Sequence, residues 1–260
     1  MRPIREYNFR EACFEWGRIP IDGIGYIPAG ALCKMPSYLL AGLLKEAQKE
    51  RYSLTGWRNF QNKWREKLGL DSIKGKTILD FGCGLGIESL EFAKNGNEIV
   101  LVDITSPSLA LSEKVLGLNG FEPLEKIQAM EHKPFFRDPA ALIDVFYANG
   151  VLHHTPTPRE ILLRACDVLS DDGEIRIMTY SDRGWKIATG QEVKDPCARA
   201  CDQDENQFKA FVAFFDGVGF YADWFCEEKL ERWFGEFLTI VEFDYITDDD
   251  RYLVATLRPK

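Results

Sequence analysis

From residue 77 to residue 180 the chain repeats one texture: a short apolar run, a polar break, then a stretch with helical spacing. The runs "TILDF", "EIVLVD", "LEKIQA", "LIDVFYA" and "GEIRIMTY" predict strands, and the segments 87–95, 107–118 and 159–169 between them predict helices. Alternation of this kind builds βαβ units, a parallel sheet and right-handed crossovers. The strands are apolar at nearly every position, as expected when helices cover both faces. After a helix in "CEEKLERWFG", two β runs, "FLTIVEFDYIT" and "RYLVATLRP", flank an acidic turn and predict a hairpin. The expected fold is α/β: a doubly wound, mainly parallel seven-stranded sheet with a C-terminal antiparallel hairpin.

Two stretches stand outside this pattern. Residues 1–70 predict a helical and irregular cap, and residues 71–260 a core. Within the cap, residues 1–36 are aromatic and punctuated by Pro and Gly ("GRIPIDGIGYIPAGALCKMP"), which predicts short irregular structure. A helix is expected from Pro36 to about Glu50, and a second from about Thr55 to Leu68. In the second, Trp57, Phe60, Trp64 and Leu68 recur at spacings of three and four and form one apolar stripe. Residues 182–225 mix an acidic patch with "FKAFVAFFDGVGFYADWF" and are too long for a simple connection, so a lid insertion is expected there.

Composition narrows the class only a little. The 260 residues carry a net charge of −9 and no Lys/Arg stripe with interleaved aromatics, which disfavours a nucleic-acid partner. No run approaches the ~18 apolar residues of a spanning helix, and the start lacks the apolar core of a signal peptide. A cytoplasmic protein without a membrane partner is expected. Seven cysteines, an odd number, read as reduced thiols. The one close pair, Cys197 and Cys201, has neither CxxC spacing nor a nearby His, so no metal is expected. The 18 Phe, nine Tyr and six Trp exceed what the regular βα region uses, leaving rings to line a pocket or an oligomer interface.

The chemistry concentrates in "ILDFGCGLGIES", residues 78–89. Its glycines are Gly82, Gly84 and Gly86. A dinucleotide loop needs G-x-G-x-x-G, whose third glycine position here holds Ile87, and a phosphate loop needs a following Gly-Lys-Ser/Thr, which is absent. The match is to D-x-G-x-G-x-G, beginning at Asp80. Some twenty residues on, Asp103 ends the next strand, where a carboxylate accepts hydrogen bonds from a ribose diol. A third landmark is "DVFYANGVLHHTPTPREILLRACDVLSDDGEIRIMTY".

On these three landmarks the chain resembles class I S-adenosylmethionine-dependent methyltransferases, in particular the small-molecule branch that includes ubiquinone-biosynthesis-like enzymes. The resemblance covers about residues 76–181 and, loosely, the hairpin. It implies a Rossmann-like methyltransferase fold and S-adenosylmethionine as cofactor. It implies cofactor contacts from Asp80, Gly82, Cys83, Gly84, Gly86, Asp103, Ile104 and Asn149, with "LSDDGEI" as a turn into the fifth strand. The branch often has an acid after the third strand for the adenine. Ala129 stands there, so Met130 and Glu131 are the substitutes.

Methyl transfer is an in-line displacement that asks the protein to position two groups and exclude water. A base is needed only where the acceptor still holds its proton. The chain has three histidines, and His153 and His154 fall in the loop an acceptor approaches, so they are the candidate catalytic pair. An adjacent pair is also read structurally, one ring packing under the cofactor and the other bonded to backbone. A small-molecule acceptor would meet Tyr52, Trp57 and Arg58 from the cap and Tyr180, Arg183 and Trp185 after the fifth strand. A DNA amino-methylase is disfavoured because its D/N/S-P-P-Y-type loop is replaced by "NGVL". RNA gains no support from an acidic chain. Two alternatives stay open: an NAD-linked oxidoreductase and a noncatalytic S-adenosylmethionine-binding regulatory protein.

Overall fold

Strand β1 (Thr77–Phe81) shows how the sheet is built. Its alternate side chains point to opposite faces, and both faces are buried. Ile78 joins a core with Ile99, Leu101, Val145 and Tyr147. Leu79 and Phe81 join a second core with Val100, Val102, Phe146 and Ala148. The coordinates are a computed structural model describing residues 7–18, 27–130, 142–215 and 221–260.

The remaining strands are β2 (Glu98–Asp103), β3 (Glu125–Gln128), β4 (Ile143–Asn149), β5 (Leu169–Tyr180), β6 (Leu238–Ile246) and β7 (Tyr252–Pro259). They form one seven-stranded sheet in the order β3-β2-β1-β4-β5-β7-β6. The first five pair in parallel, and β7 inserts antiparallel between β5 and β6. The sheet and its hairpin are those expected from the apolar pattern. The chain leaves β1 for β2 on one side and reaches β4 on the other. That reversal opens a crevice at the carboxyl ends of β1 and β4.

The helices are α1 (Phe9–Arg18), α2 (Ala29–Lys34), α3 (Ser37–Arg51), α4 (Lys63–Lys67), α5 (Ile87–Lys94), α6 (Ser106–Leu118), α7 (Pro158–Cys166), α8 (Asp182–Thr189), α9 (Glu205–Phe215) and α10 (Glu227–Phe234). One core packs α2, α3, α5 and α6 on the sheet. The other packs α7 and α10 on the opposite face. A third cluster joins Trp185 of α8, Phe208 and Phe211 of α9 and Trp224.

Three expectations need correction. Residues 9–18 form a helix of nearly three turns, because residues 9–16 hold neither Pro nor Gly and Asn8 accepts a hydrogen bond from the Glu11 amide at 3.1 Å. The helix expected over 55–68 shrinks to a 3₁₀ turn at Phe60–Asn62 and the five residues of α4. Asn59 explains this. Its amide nitrogen donates to the Tyr52 carbonyl and its oxygen accepts from the Arg65 amide, competing with the helical backbone. Gln61 and Asn62 then adopt left-handed φ of 56° and 65°. Trp57 consequently leaves the stripe, whereas Trp64 and Leu68 remain buried. Lastly, "LSDDGEI" belongs to β5 itself, with a register shift against β4 between Ile143 and Val145.

The loop between β1 and α5 is held from below. The amides of Gly82 and Cys83 both donate to the Val102 carbonyl, at 2.7 and 3.0 Å, and the Gly86 amide donates to the Cys83 carbonyl at 2.7 Å. Gly86 has a φ of 71°, and a Cβ there would lie 2.8 Å from the Ser112 Cα of α6. Gly86→Ala therefore combines a left-handed strain with a backbone clash. It should lower stability by about 2 kcal/mol, read as a shift in the urea midpoint at an unchanged slope.

Candidate functional site

The crevice widens into a cavity of about 800 Å³, within the range of small-molecule sites. Gly82, Cys83 and Gly84 line it from the β1 loop, Asp103 and Ile104 from the end of β2, and Asn149 from the end of β4. The close approach at Gly82 leaves no room for a side chain: a Cβ there would fall 2.2 Å from Val151 Cγ2. Asp103 is buried. One carboxylate oxygen accepts from the Thr105 amide and hydroxyl at 2.8 and 3.0 Å, and the other from the Gly84 amide at 3.2 Å. Burial raises its pKa against these bonds. The side-chain oxygen of Asn149 is buried at the cavity wall with no hydrogen-bond partner.

Asp80 sits one layer below. It is buried, does not line the cavity, and accepts a hydrogen bond from the Ser89 hydroxyl. Burial pushes its carboxyl up to about 7, with the Ser89 bond opposing and the charges of Glu88 and Asp103 adding to the rise. Glu88 of α5 and Arg51 of α3 reach the cavity in its place, as an ion pair at 2.5 Å. Gly86 serves the loop and α6 and not the cavity wall. Met130 is exposed and outside the cavity, whereas Ala129 lines it. Glu131 lies outside the described residues.

At the other end the two histidines separate into distinct chemical states. The Tyr180 amide donates to His153 Nδ1 at 3.2 Å, so the proton of the neutral ring is on Nε2. His153 is fully buried, its ring stacks on Tyr180 at 3.6 Å, and burial holds its pKa well below the ordinary value. His154 is arranged the opposite way. Its Nδ1 lies 3.1 Å from the Tyr221 carbonyl, which can only accept, so Nδ1 carries the proton. Its Nε2 is left as an acceptor, 3.3 Å from the Tyr180 hydroxyl.

Rings surround this pair. Trp16 of α1 meets His154 edge-on at 4.8 Å, Phe215 of α9 stacks on Tyr180 at 3.9 Å, and Trp57 stacks on Tyr252 of β7 at 5.7 Å. All of these rings, and Arg58, line the cavity. Three expected substrate residues do not. Tyr52 lies behind the wall with the Arg65 guanidinium over its ring at 4.4 Å. Arg183 pairs with Asp250 and covers Tyr245. Trp185 is buried against Trp224 and Phe211.

Trp16, Arg51, Glu88, Phe214, Phe215 and Tyr252 also line the cavity and were not expected from the sequence. The surplus of aromatics was the available signal, but these six residues come from five separate segments whose meeting depends on tertiary packing. Among the described residues no cluster of His, Cys, Asp and Glu could hold a metal ion. No helix among them is long and apolar enough to cross a membrane.

A doubly wound sheet with β7 inserted antiparallel, a glycine loop after β1 and a buried carboxylate ending β2 define an α/β protein of the methyltransferase type. Residues 50–237 match the model of the methyltransferase domain, and the chain belongs to that family, whose methyl donor is S-adenosylmethionine. It is similar to the ubiquinone biosynthesis O-methyltransferase of Bordetella avium, 30% identical over 42% of this chain and 44% of that one. It is also similar to the tRNA U34 carboxymethyltransferase of Shewanella woodyi, 31% identical over 48% of this chain and 38% of that protein. The matches therefore span about half or less of these curated relatives. The fold is shared with the N-methyltransferase NodS of Bradyrhizobium japonicum, solved with S-adenosyl-L-homocysteine, at a TM-score of 0.54 and 15% identity over 78% of this chain and 87% of that one. The methyltransferase of Mesorhizobium loti gives 0.55 and 15% over 76% and 97%.

The raised pKa of Asp80 has a stability consequence with a definite sign. The folded carboxyl titrates near 7 and the ordinary one near 3.8, so the folded state binds the extra proton between these values. Stability therefore falls as pH rises from about 4 to about 7. Asp80→Asn cannot lose that proton. In the absence of ligand, its stability relative to wild type should improve by roughly 4 kcal/mol between pH 4 and pH 8, measured by urea unfolding.

Proposed function

We propose that this protein methylates a hydroxyl oxygen of a small, planar, ring-bearing acceptor, with His154 taking the acceptor's proton. The observation that carries the reading is the chain from the Tyr221 carbonyl through His154 to the Tyr180 hydroxyl, set in a wall of aromatic rings. The Nδ1 proton is held by a carbonyl, so Nε2 is the nitrogen that gains one, and the resulting imidazolium keeps its Nδ1 hydrogen bond. His153 is unsuited to that work, because its Nδ1 already accepts an amide and burial opposes a charge. Flat rings lying at several angles favour a flat acceptor over a polar, flexible one.

The donor end suits S-adenosylmethionine. The unpartnered oxygen of Asn149 and the Glu88 carboxylate would meet the ammonium, Arg51 the carboxylate, and Asp103 the ribose hydroxyls. When bound, the cofactor supplies a sulfonium methyl group for in-line displacement. This end favours methyl transfer over the nicotinamide and noncatalytic readings, since the family match covers the whole site from α3 to β5. The choice of oxygen draws support from relatives named as O-methyltransferases. We treat residues 1–70 as a cap and 182–225 as a lid because Trp16, Trp57, Phe214 and Phe215 from them wall the acceptor end. We assign a cytoplasmic setting, which seven free cysteines support.

Calorimetry and rates test the two ends separately. Asp103→Asn should weaken S-adenosylhomocysteine binding about 10- to 100-fold, as expected for losing a charged hydrogen-bond acceptor. His154→Gln should bind it within about threefold of wild type, yet lose about 10²- to 10⁴-fold in methyl transfer to a hydroxylated aromatic acceptor. Full transfer by His154→Gln would refute the base.

A further inference from the structure

We propose that the buried pair Lys229–Asp223 is a positioning device for the His154 ring, an inference that rests on His154 being the base. Lys229 and Asp223 lie outside the cavity, and both are almost completely excluded from solvent. All three ammonium protons of Lys229 are used: on Asp223 Oδ2 at 2.8 Å, the Trp224 carbonyl at 2.9 Å and the Ala198 carbonyl at 3.0 Å. The second oxygen of Asp223 accepts from the Ala200 and Trp224 amides, each at 2.9 Å. The rings of Trp224, Phe225 and Trp233 close over the ammonium at 4.9, 5.3 and 4.5 Å. One point thus fixes three pieces of chain: the segments 198–200 and 221–225 and helix α10.

The segment 221–225 in turn holds both histidines. The Asp223 amide donates to the His153 carbonyl at 2.8 Å, and the Tyr221 carbonyl, two residues earlier, receives Nδ1 of His154. The Phe225 amide donates to the Tyr180 carbonyl at 2.9 Å, and the Asp182 amide to the Phe225 carbonyl at 3.0 Å. Tyr180, which meets Nε2 of His154, is therefore stitched to the same segment. An ion pair with this burial contributes little net stability, because desolvation consumes most of its attraction. A fold that needed only packing at α10 would be served by an apolar side chain within those three rings. What the charges add is direction. They hold the backbone of 223–224 in one orientation, and with it the carbonyl that selects the His154 tautomer.

The test uses the full chain with S-adenosylhomocysteine added and ¹⁵N-labelled histidine, whose ring nitrogens report the tautomer directly. With three histidines in the chain, assignment needs only single replacements. Wild type should show His154 as the Nδ1–H form and His153 as the Nε2–H form. In Lys229→Met, the Nδ1–H population of His154 should fall by at least half, while His153, held by the Tyr180 amide, keeps its form as an internal control. S-adenosylhomocysteine affinity should stay within about threefold. If the stranded Asp223 carboxylate prevents folding, the double variant Lys229→Met/Asp223→Asn removes both charges within the same rings and is read in the same way. A folded variant with an unchanged His154 spectrum would overturn the proposal, as would a wild-type His154 in the Nε2–H form. An altered tautomer together with full transfer by His154→Gln would keep the positioning role and discard only the base.

Discussion

The Val102 carbonyl receives two amide hydrogens, from Gly82 and Cys83, and the rest of the site depends on that junction. It bends the chain over the end of β2 as it leaves β1, bringing the glycine loop beside Asp103. The Gly84 amide then closes on the Asp103 carboxylate, so loop and acid hold each other. Left-handed φ at Gly82, Gly84 and Gly86 makes the bend possible. Without this junction the crevice at the strand reversal would have no floor, and α5 would not present Glu88 to it.

The acceptor end is built on a different logic. Nothing there is a contiguous motif. The histidines come from the loop after β4, Tyr180 from the end of β5, Tyr252 from β7, Trp57 from the broken turn before α4 and Phe215 from α9. The antiparallel insertion of β7 beside β5 pairs Tyr252 with Tyr180 across the sheet, which carries the aromatic wall from the hairpin to the histidines. The cluster of Trp185, Phe211 and Trp224 packs beside it, with Tyr180 among its members. The proposed donor end thus rests on local backbone geometry, and the proposed acceptor end on long-range packing.

That division explains what could be read in advance. The sheet, its hairpin and the roles suggested for Gly82, Gly84 and Asp103 depend on strand periodicity and on spacing within one βαβ unit, and both are visible in the residues, whereas the role suggested for Asn149 came from the family resemblance. Asp80 belonged to the motif, but its depth could not be seen: facing the core side of β1, it reaches Ser89 before it reaches the crevice. The helix expected over 55–68 failed because a side-chain amide, Asn59, outbids the backbone, an event that apolar spacing does not record. Arg183 and Trp185 were placed in the acceptor site by proximity to β5. In α8 they point instead to Asp250 and to the cluster around Phe211 and Trp224. The aromatic surplus was legible as a quantity, and its location was not.

The central claim is that a methyl donor and a hydroxylated planar acceptor meet in one cavity, between Asn149 and the His154–Tyr180 pair. The most direct test is to incubate the protein with S-adenosylmethionine labelled at the methyl group and a pooled small-molecule metabolite extract, then to resolve the labelled products by mass spectrometry. A shared cavity of this kind predicts label in methyl ethers on aromatic or similarly flat rings, with S-adenosylhomocysteine formed in equal amount. Label confined to aliphatic amines or to macromolecules would contradict it.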